Sequence, residues 1–187
     1  MRIETIITAW YPWLALGLGL FIGSFLNVVI YRLPIMMMRS VTEKATQSDW
    51  PDVNLWWPPS HCPRCQHAVM PWDNVPLFSW LLLRGRCRYC KCAIPALYPL
   101  SELATGMVFF ALVSGYFPQF TLIQILFLAC FFCLAYTLAV IDIKTFLLPD
   151  GLVYPLLWLG LAASVLNIIT VSPRDSVMGA IVIGAFT

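Results

Sequence analysis

Apolar residues run in long blocks along this chain, and the polar residues gather between them. Ile6–Ile30 is the first block, ended by Tyr31-Arg32-Leu33-Pro34. Others run from Leu103 to Phe117, from Leu122 to Ile141, from about Leu152 to Thr170, and from Val177 to Thr187. Such blocks lack a polar face and predict membrane helices, since a full span takes roughly 20 apolar residues. Turns are marked at Gly115-Tyr-Phe-Pro118, Asp142–Asp150 and Ser172-Pro-Arg-Asp175. The long segment between Arg32 and Leu97 is different: it is polar and rich in Pro, Trp and Cys. The expected fold is all-α, a polytopic transmembrane helical protein with one loop domain. Residues 1–31 form the first transmembrane helix, 32–97 the loop domain and 98–187 the remaining membrane part.

Composition supports this division. The chain has 187 residues, 60% hydrophobic and only 11% charged, whereas a soluble domain carries about 25% charged residues. The first block is too long for a cleavable signal peptide and has no obvious small-residue cleavage site, so it reads as a retained helix. Eight of the eleven Lys and Arg fall between Arg32 and Lys91. The positive-inside rule then puts the loop in the cytoplasm and the N-terminus outside. Counting crossings puts the 116–120 turn outside, Asp142–Asp150 inside and Ser172–Asp175 outside. The same rule accounts for the basic residues without a nucleic-acid partner.

Within the loop, Cys62-Pro-Arg-Cys65 and Cys87-Arg-Tyr-Cys90 form two Cys-x-x-Cys knuckles. Paired knuckles can supply four thiolates to one tetrahedral zinc. A reducing cytoplasm favours metal over disulfides. The expectation is one structural zinc on Cys62, Cys65, Cys87 and Cys90, supplying much of the loop's folding free energy. Cys92 is a spare that could replace Cys90, although the spacing favours Cys90. His61 and His67 flank the first knuckle as polar loop residues. Cys130 and Cys133 lie inside an apolar block, where cysteine acts as a small hydrophobe. Gly17-x-Gly19 follows no strand and reads as helix packing rather than a nucleotide loop.

Asp142 ends the block Leu122–Ile141, and an ionisable group there is a functional candidate unless it only marks the water boundary. Lys144 is two residues away and would face elsewhere on a continuing helix. Asp150 follows Pro149 and precedes an apolar helix, so it reads as an N-cap.

These segments resemble the type IV prepilin peptidases, the bifunctional leader peptidase/N-methyltransferases of type IV pilus and type II secretion systems. The likeness runs through Gly23-Ser-Phe-Leu-Asn-Val-Val-Ile-Tyr-Arg-Leu-Pro34, Pro59-Ser-His-Cys-Pro-Arg-Cys65, Asp73-Asn-Val-Pro76, Ser79-Trp-Leu-Leu-Leu-Arg-Gly-Arg-Cys87-Arg-Tyr-Cys90, Tyr98-Pro-Leu-Ser-Glu102 and Asp142-(x6)-Pro149-Asp150. The resemblance implies an aspartyl protease of the bacterial inner membrane that removes the basic leader of prepilins or pseudopilins at the cytoplasmic face. It also implies methylation of the new N-terminus from S-adenosylmethionine. The family's first catalytic aspartate falls on Asp142. Where many relatives have a second aspartate two residues on, this chain has Lys144. The family's partner aspartate comes from a Gly-x-Gly-Asp motif, and the sequence contains none. No glycine fingerprint locates the methyl donor. Glu102 is either a contributor to that activity or a helix-start carboxylate complementing the dipole.

Val177–Thr187 covers only about 16 Å as a helix, against a hydrocarbon core of about 30 Å. The chain is therefore expected to be part of a longer enzyme and inactive alone. A membrane adaptor whose zinc loop docks a secretion or pilus partner is the alternative function. An Asp142/Asp150 pair is the alternative catalytic site.

Overall fold

The computed structural model describes residues 2–42, 54–114 and 120–168, with 172, 174, 175 and 177–179. The 115–119 turn and most of the fifth apolar block lie outside the described residues. The chain divides into two units, Met1–Tyr116 and Phe117–Thr187. The first contains α1 (Arg2–Thr42), a short 3-10 helix (Pro71–Asn74), α2 (Phe78–Leu82) and α3 (Leu97–Val113). The second contains α4 (Leu122–Thr145) and α5 (Asp150–Val165). Two isolated antiparallel bridges occur, but no strand, among the described residues. Trp10–Met38 of α1 and all of α4 are long and apolar enough to cross a bilayer, and α3 and α5 are shorter apolar helices. The all-α membrane architecture is thus as expected.

The boundary of the first helix is not. The sequence places its end at 31–34, yet α1 continues through Pro34 to Thr42. A proline inside a helix removes one backbone hydrogen bond and strains the preceding turn. Here the site is braced from outside. Arg32 is buried and donates from its guanidinium to the carbonyls of Asn54 (2.8 Å) and Pro58 (2.6 Å). The Met36-Met-Met38 run beyond it favours helix. α3 likewise begins six residues before the expected apolar start. Pro99 falls in its first turn, where its missing N–H costs nothing.

α1 and α3 pack antiparallel along a stripe of small residues. Gly19 and Gly23 are buried on α1, facing Glu102, Thr105, Gly106 and Phe109 on α3. A Cβ on Gly19 would lie 2.8 Å from Gly106 Cα, and one on Gly23 would lie 2.8 Å from Glu102 Cα. The helices therefore meet backbone to backbone, as small-xxx-small spacing allows. Gly17, expected to share this packing, faces open space instead. A polar clamp fixes the register: Ser101 Oγ donates to Asn27 Oδ1 (2.6 Å), and Asn27 Nδ2 donates to the Tyr98 carbonyl (3.2 Å). Trp13 meets Phe110 edge to face at the other end.

In the second unit, Thr121 and Gln124 form a capping box that starts α4 where the sequence expects it. The helix passes Asp142 and stops when Phe146 adopts φ 52°, its N–H donating to the Asp142 carbonyl at 2.8 Å. Pro149, not Asp150, occupies the N-cap of α5. Proline's fixed φ suits that junction, so Asp150 moves to the first turn and makes no side-chain cap bond. Its charge still complements the helix dipole.

The glycine stripe is directly testable. Gly23→Val should lower thermal stability in detergent by about 2 kcal/mol or more, because the clash is with backbone that cannot give way. Gly17→Ala should leave it unchanged or raise it by about 0.5–1 kcal/mol. Equal effects at both positions would contradict this packing.

Candidate functional site

The two knuckles are built alike. Cys62 N–H donates to the His67 carbonyl, Gln66 N–H to Cys62 and Val69 N–H to Ser60. In the second, Cys87 N–H donates to Cys92, Lys91 N–H to Cys87 and Ile94 N–H to Gly85. The bridges His61–Ala68 and Arg86–Ala93 match in the same way, and Gln66 and Lys91 both sit at φ 57°. Ser60–Val69 and Gly85–Ile94 are thus an internal repeat of one turn. Each repeat points its two sulfurs to a common centre, and in this alignment Cys92 stands where His67 stands in the first repeat.

The Sγ atoms of Cys62, Cys65, Cys87 and Cys90 all lie within 4.8 Å of one another. Cys62 and Cys90 are 3.7 Å apart, and Cys65 and Cys87 are 4.0 Å apart. A tetrahedral ion with metal–sulfur bonds of about 2.3 Å needs sulfurs about 3.8 Å apart. The cluster can hold a metal ion with little rearrangement. Cys92 Sγ lies 3.5 Å from Cys62 Sγ, so a fifth sulfur borders the cluster without joining the four.

Backbone dipoles already favour thiolate at this centre. The N–H groups of Cys65 and Arg64 pull the Cys62 thiol down to about 6. The N–H of Cys92, then its thiol, lowers Cys90. At Cys65 the N–H of His67 acts in the same direction, but burial and the neighbouring thiols outweigh it and leave the group at about 11. Cys92 is pushed up to about 12, chiefly by the Cys90 and Cys62 sulfurs. Cys65 and Cys92 are therefore the two sulfurs whose thiol form is favoured.

Several supports went unnoticed in the sequence. Arg88 grips Asp73 with two bonds, Nε to Oδ2 at 2.7 Å and Nη2 to Oδ1 at 2.5 Å, which lowers the Asp73 carboxyl and ties the second repeat to the 3-10 helix. His67 and Tyr89 rings meet at 3.7 Å, joining the two repeats. Gly85 sits at φ +67° with the Trp80 ring 2.9 Å from where its Cβ would be, so only glycine closes that turn. Trp80 in turn donates from Nε1 to the Ile94 carbonyl at 3.2 Å. The signal available beforehand was the repeat itself, Ser-His-Cys-x-x-Cys-Gln-His-Ala-Val against Gly-Arg-Cys-x-x-Cys-Lys-Cys-Ala-Ile.

Glu102 is buried in the second turn of α3, past the first turn where a carboxylate would complement the helix dipole as expected, and it accepts a hydrogen bond from the Leu77 N–H at 2.8 Å. It anchors the loop to the helices. A cavity of about 620 Å³ lies between this anchor, the C-terminal half of α1 and the knuckles, lined in part by Asn27, Arg32, Trp80 and Glu102. In the second unit, Asp142 is half-buried one turn before the end of α4, and Lys144 is exposed. Among the described residues no hydrogen bond or ion pair holds the Asp142 carboxylate, and none joins it to Asp150. Cys130 is exposed and Cys133 half-buried on α4, apart from the loop sulfurs in sequence and unit.

The two units coincide with two family models. Residues 18–116 match the bacterial peptidase A24 N-terminal domain, and residues 129–187 match the type IV leader peptidase family. Proteins named prepilin leader peptidase/N-methyltransferase are similar along most of the chain. One from Pectobacterium carotovorum subsp. carotovorum is 51% identical over 89% of this chain and 60% of its own length. One from Stutzerimonas stutzeri is 43% identical over 90% of this chain and 59% of its own. One from Neisseria gonorrhoeae is 42% identical over 79% and 54%. The chain thus spans about three-fifths or less of these relatives. No solved structure matches it.

The metal centre predicts a clean contrast. Purified protein should carry one metal ion per chain by elemental analysis. Cys62→Ser should lose it, while Cys92→Ser should keep it; full occupancy in Cys62→Ser would disprove the four-sulfur assignment. Taken with the knuckle geometry and the carboxylate at the end of α4, the matches over both units place this chain in the type IV leader peptidase (peptidase A24) family.

Proposed function

We propose that this chain carries the first part of a prepilin leader peptidase and N-methyltransferase, with Asp142 as one catalytic carboxylate and zinc as the ion of the cysteine cluster. The observation that carries the reading is the family match over 129–187, within which Asp142 projects from the last turn of a membrane helix. The substrates are prepilins or pseudopilins, and the methyl donor is S-adenosylmethionine, as the names of the relatives suggest. The loop with its Lys/Arg excess lies on the cytoplasmic side of the inner membrane, where leaders are removed.

The chemistry follows from the carboxylate. Two close carboxylates share one proton at ordinary pH, because both cannot ionise together. The ionised member takes a proton from water, and the protonated member polarises the scissile carbonyl. Asp142 supplies one of the two. The partner is the aspartate of the Gly-x-Gly-Asp motif in proteins of the relatives' full length. Asp150 follows a left-handed turn and a proline and serves the start of α5. Zinc has a structural part. It would join two turns that each close on their own hydrogen bonds and, among the described residues, meet through side chains.

A mobility-shift assay with prepilin in detergent tests the assignment. In a protein of the relatives' full length containing these residues, Asp142→Asn should reduce leader cleavage by at least about a thousandfold, since water activation needs the titratable pair. Methylation of a pre-cut pilin should survive that change if the two activities use separate sites. Asp150→Asn should retain most cleavage. Residues 1–187 alone should not cleave, because only one carboxylate of the pair is among them. Clear cleavage by this chain would promote an Asp142/Asp150 pair instead.

A further inference from the structure

α1 provides a ruler for membrane depth. Trp10, Tyr11 and Trp13 are exposed near one end and Tyr31 near the other. Aromatic residues of this kind gather at the two membrane interfaces. Trp13 and Tyr31 are eighteen residues apart, or about 27 Å along a helix, which matches a hydrocarbon core of about 30 Å. The stretch between the 3-10 helix and α2 lies beside residues of α1 that precede Tyr31. Asn74 and Val75 line one cleft with Phe21, Ser24, Phe25 and Val28. Leu77 N–H reaches Glu102, whose Cα abuts Gly23. Gly23 is eight residues before Tyr31, or about 12 Å deeper.

The outer face of this segment is apolar. Trp72, Phe78, Leu81 and Leu82 are exposed, Leu82 at 83%. Nine consecutive residues, Val75 to Leu83, carry no charge. On the inner side Ser79 is buried and bonded to the carbonyls of Trp72 and Val75, which fixes the outward set. Trp56, also exposed, stacks on Phe25 of α1 at 5.9 Å, and Phe25 lines the same cleft as Asn74 and Val75. Arg84, Arg86 and Lys91 follow immediately and are all exposed.

We propose that the segment Trp72–Leu82 is a membrane elbow, with its apolar face in the acyl boundary and Arg84, Arg86 and Lys91 on anionic lipid phosphates. Apolar side chains flanked by exposed cations are the pattern of elements lying in an interface. A second copy of the chain fits less well, because its own cationic rim would face this one. The elbow holds the metal centre against the bilayer surface rather than out in solution. That is where a substrate anchored by a membrane helix would present its cut end.

The test uses the intact chain in nanodiscs of phosphatidylethanolamine and phosphatidylglycerol, with photoreactive benzoylphenylalanine at single positions. Leu82 should give lipid adducts by mass spectrometry at a yield within about threefold of Leu18 on α1, whereas exposed Arg64 on the first knuckle should give almost none. Metal content and thermal melting check that each variant is folded. If the Leu82 variant does not fold, Phe78 carries the same test, since the probe closely replaces an aromatic ring. Folded protein without lipid adducts at these sites overturns the proposal. So does an adduct of twice the chain mass, which would make the face a contact between copies.

Discussion

Gly23 has no side chain, and much of the first unit depends on that fact. Its bare surface lets the backbone of α3 come so close that a Cβ there would lie 2.8 Å from Glu102 Cα. Glu102 is thereby set at a fixed height against α1, and its carboxylate takes the Leu77 N–H. That bond in turn fixes the start of α2, where Leu77 adopts φ 60°. Trp80 on α2 reaches Ile94 and closes over Gly85, and so shapes the approach to the second knuckle. A close packing of helices in the membrane therefore extends, through one buried carboxylate, to the cysteine cluster. This gives Glu102 a structural role: without its carboxylate the half-buried Leu77 N–H would lose its partner, a loss of up to about 1–3 kcal/mol where water cannot replace it.

The cysteine cluster was legible in advance because ligand spacing is a local property. Each Cys-x-x-Cys closes on its own backbone bonds, so spacing alone identifies the four sulfurs. Their convergence needed one further fact, the repeat of the whole turn from Ser60–Val69 in Gly85–Ile94, which was visible but hidden by its differing polar positions. The start of α4 was legible for a similar reason, since Thr121 and Gln124 carry the cap within four residues.

Features set by distant contacts were not legible. Proline at position 34 looks like a stop, and only the grip of Arg32 on Asn54 and Pro58 accounts for a buried, braced helix there. Gly17 and Gly19 look equivalent in sequence, but the face that packs includes Gly19 and Gly23, and that choice belongs to the rotation of α1 against α3. Asp150 carries the side chain of an N-cap, yet Pro149 takes the position because the left-handed turn at Phe146 sets the phase of the connection. The polar reading of 32–97 as a whole concealed an uncharged run at 75–83, because composition averages over a segment that folds in two environments.

The unequal states of Cys62, Cys65, Cys90 and Cys92 follow from the same local geometry. A thiolate is stabilised where backbone N–H groups converge, and each knuckle aims such groups at its sulfurs. Cys62 gains the most, and falls to about 6. Cys92 lies within 3.5 Å of it but receives charge rather than dipoles, and is raised to about 12. Cys92 stands outside the group of four whose sulfurs all lie within 4.8 Å of one another, and those four are the ones that could hold a metal ion. A metal ion held by the four sulfurs would link two turns that each close on their own backbone bonds; the ring contact of His67 with Tyr89 already spans them, and Arg88 on Asp73 ties the second turn to the 3-10 helix.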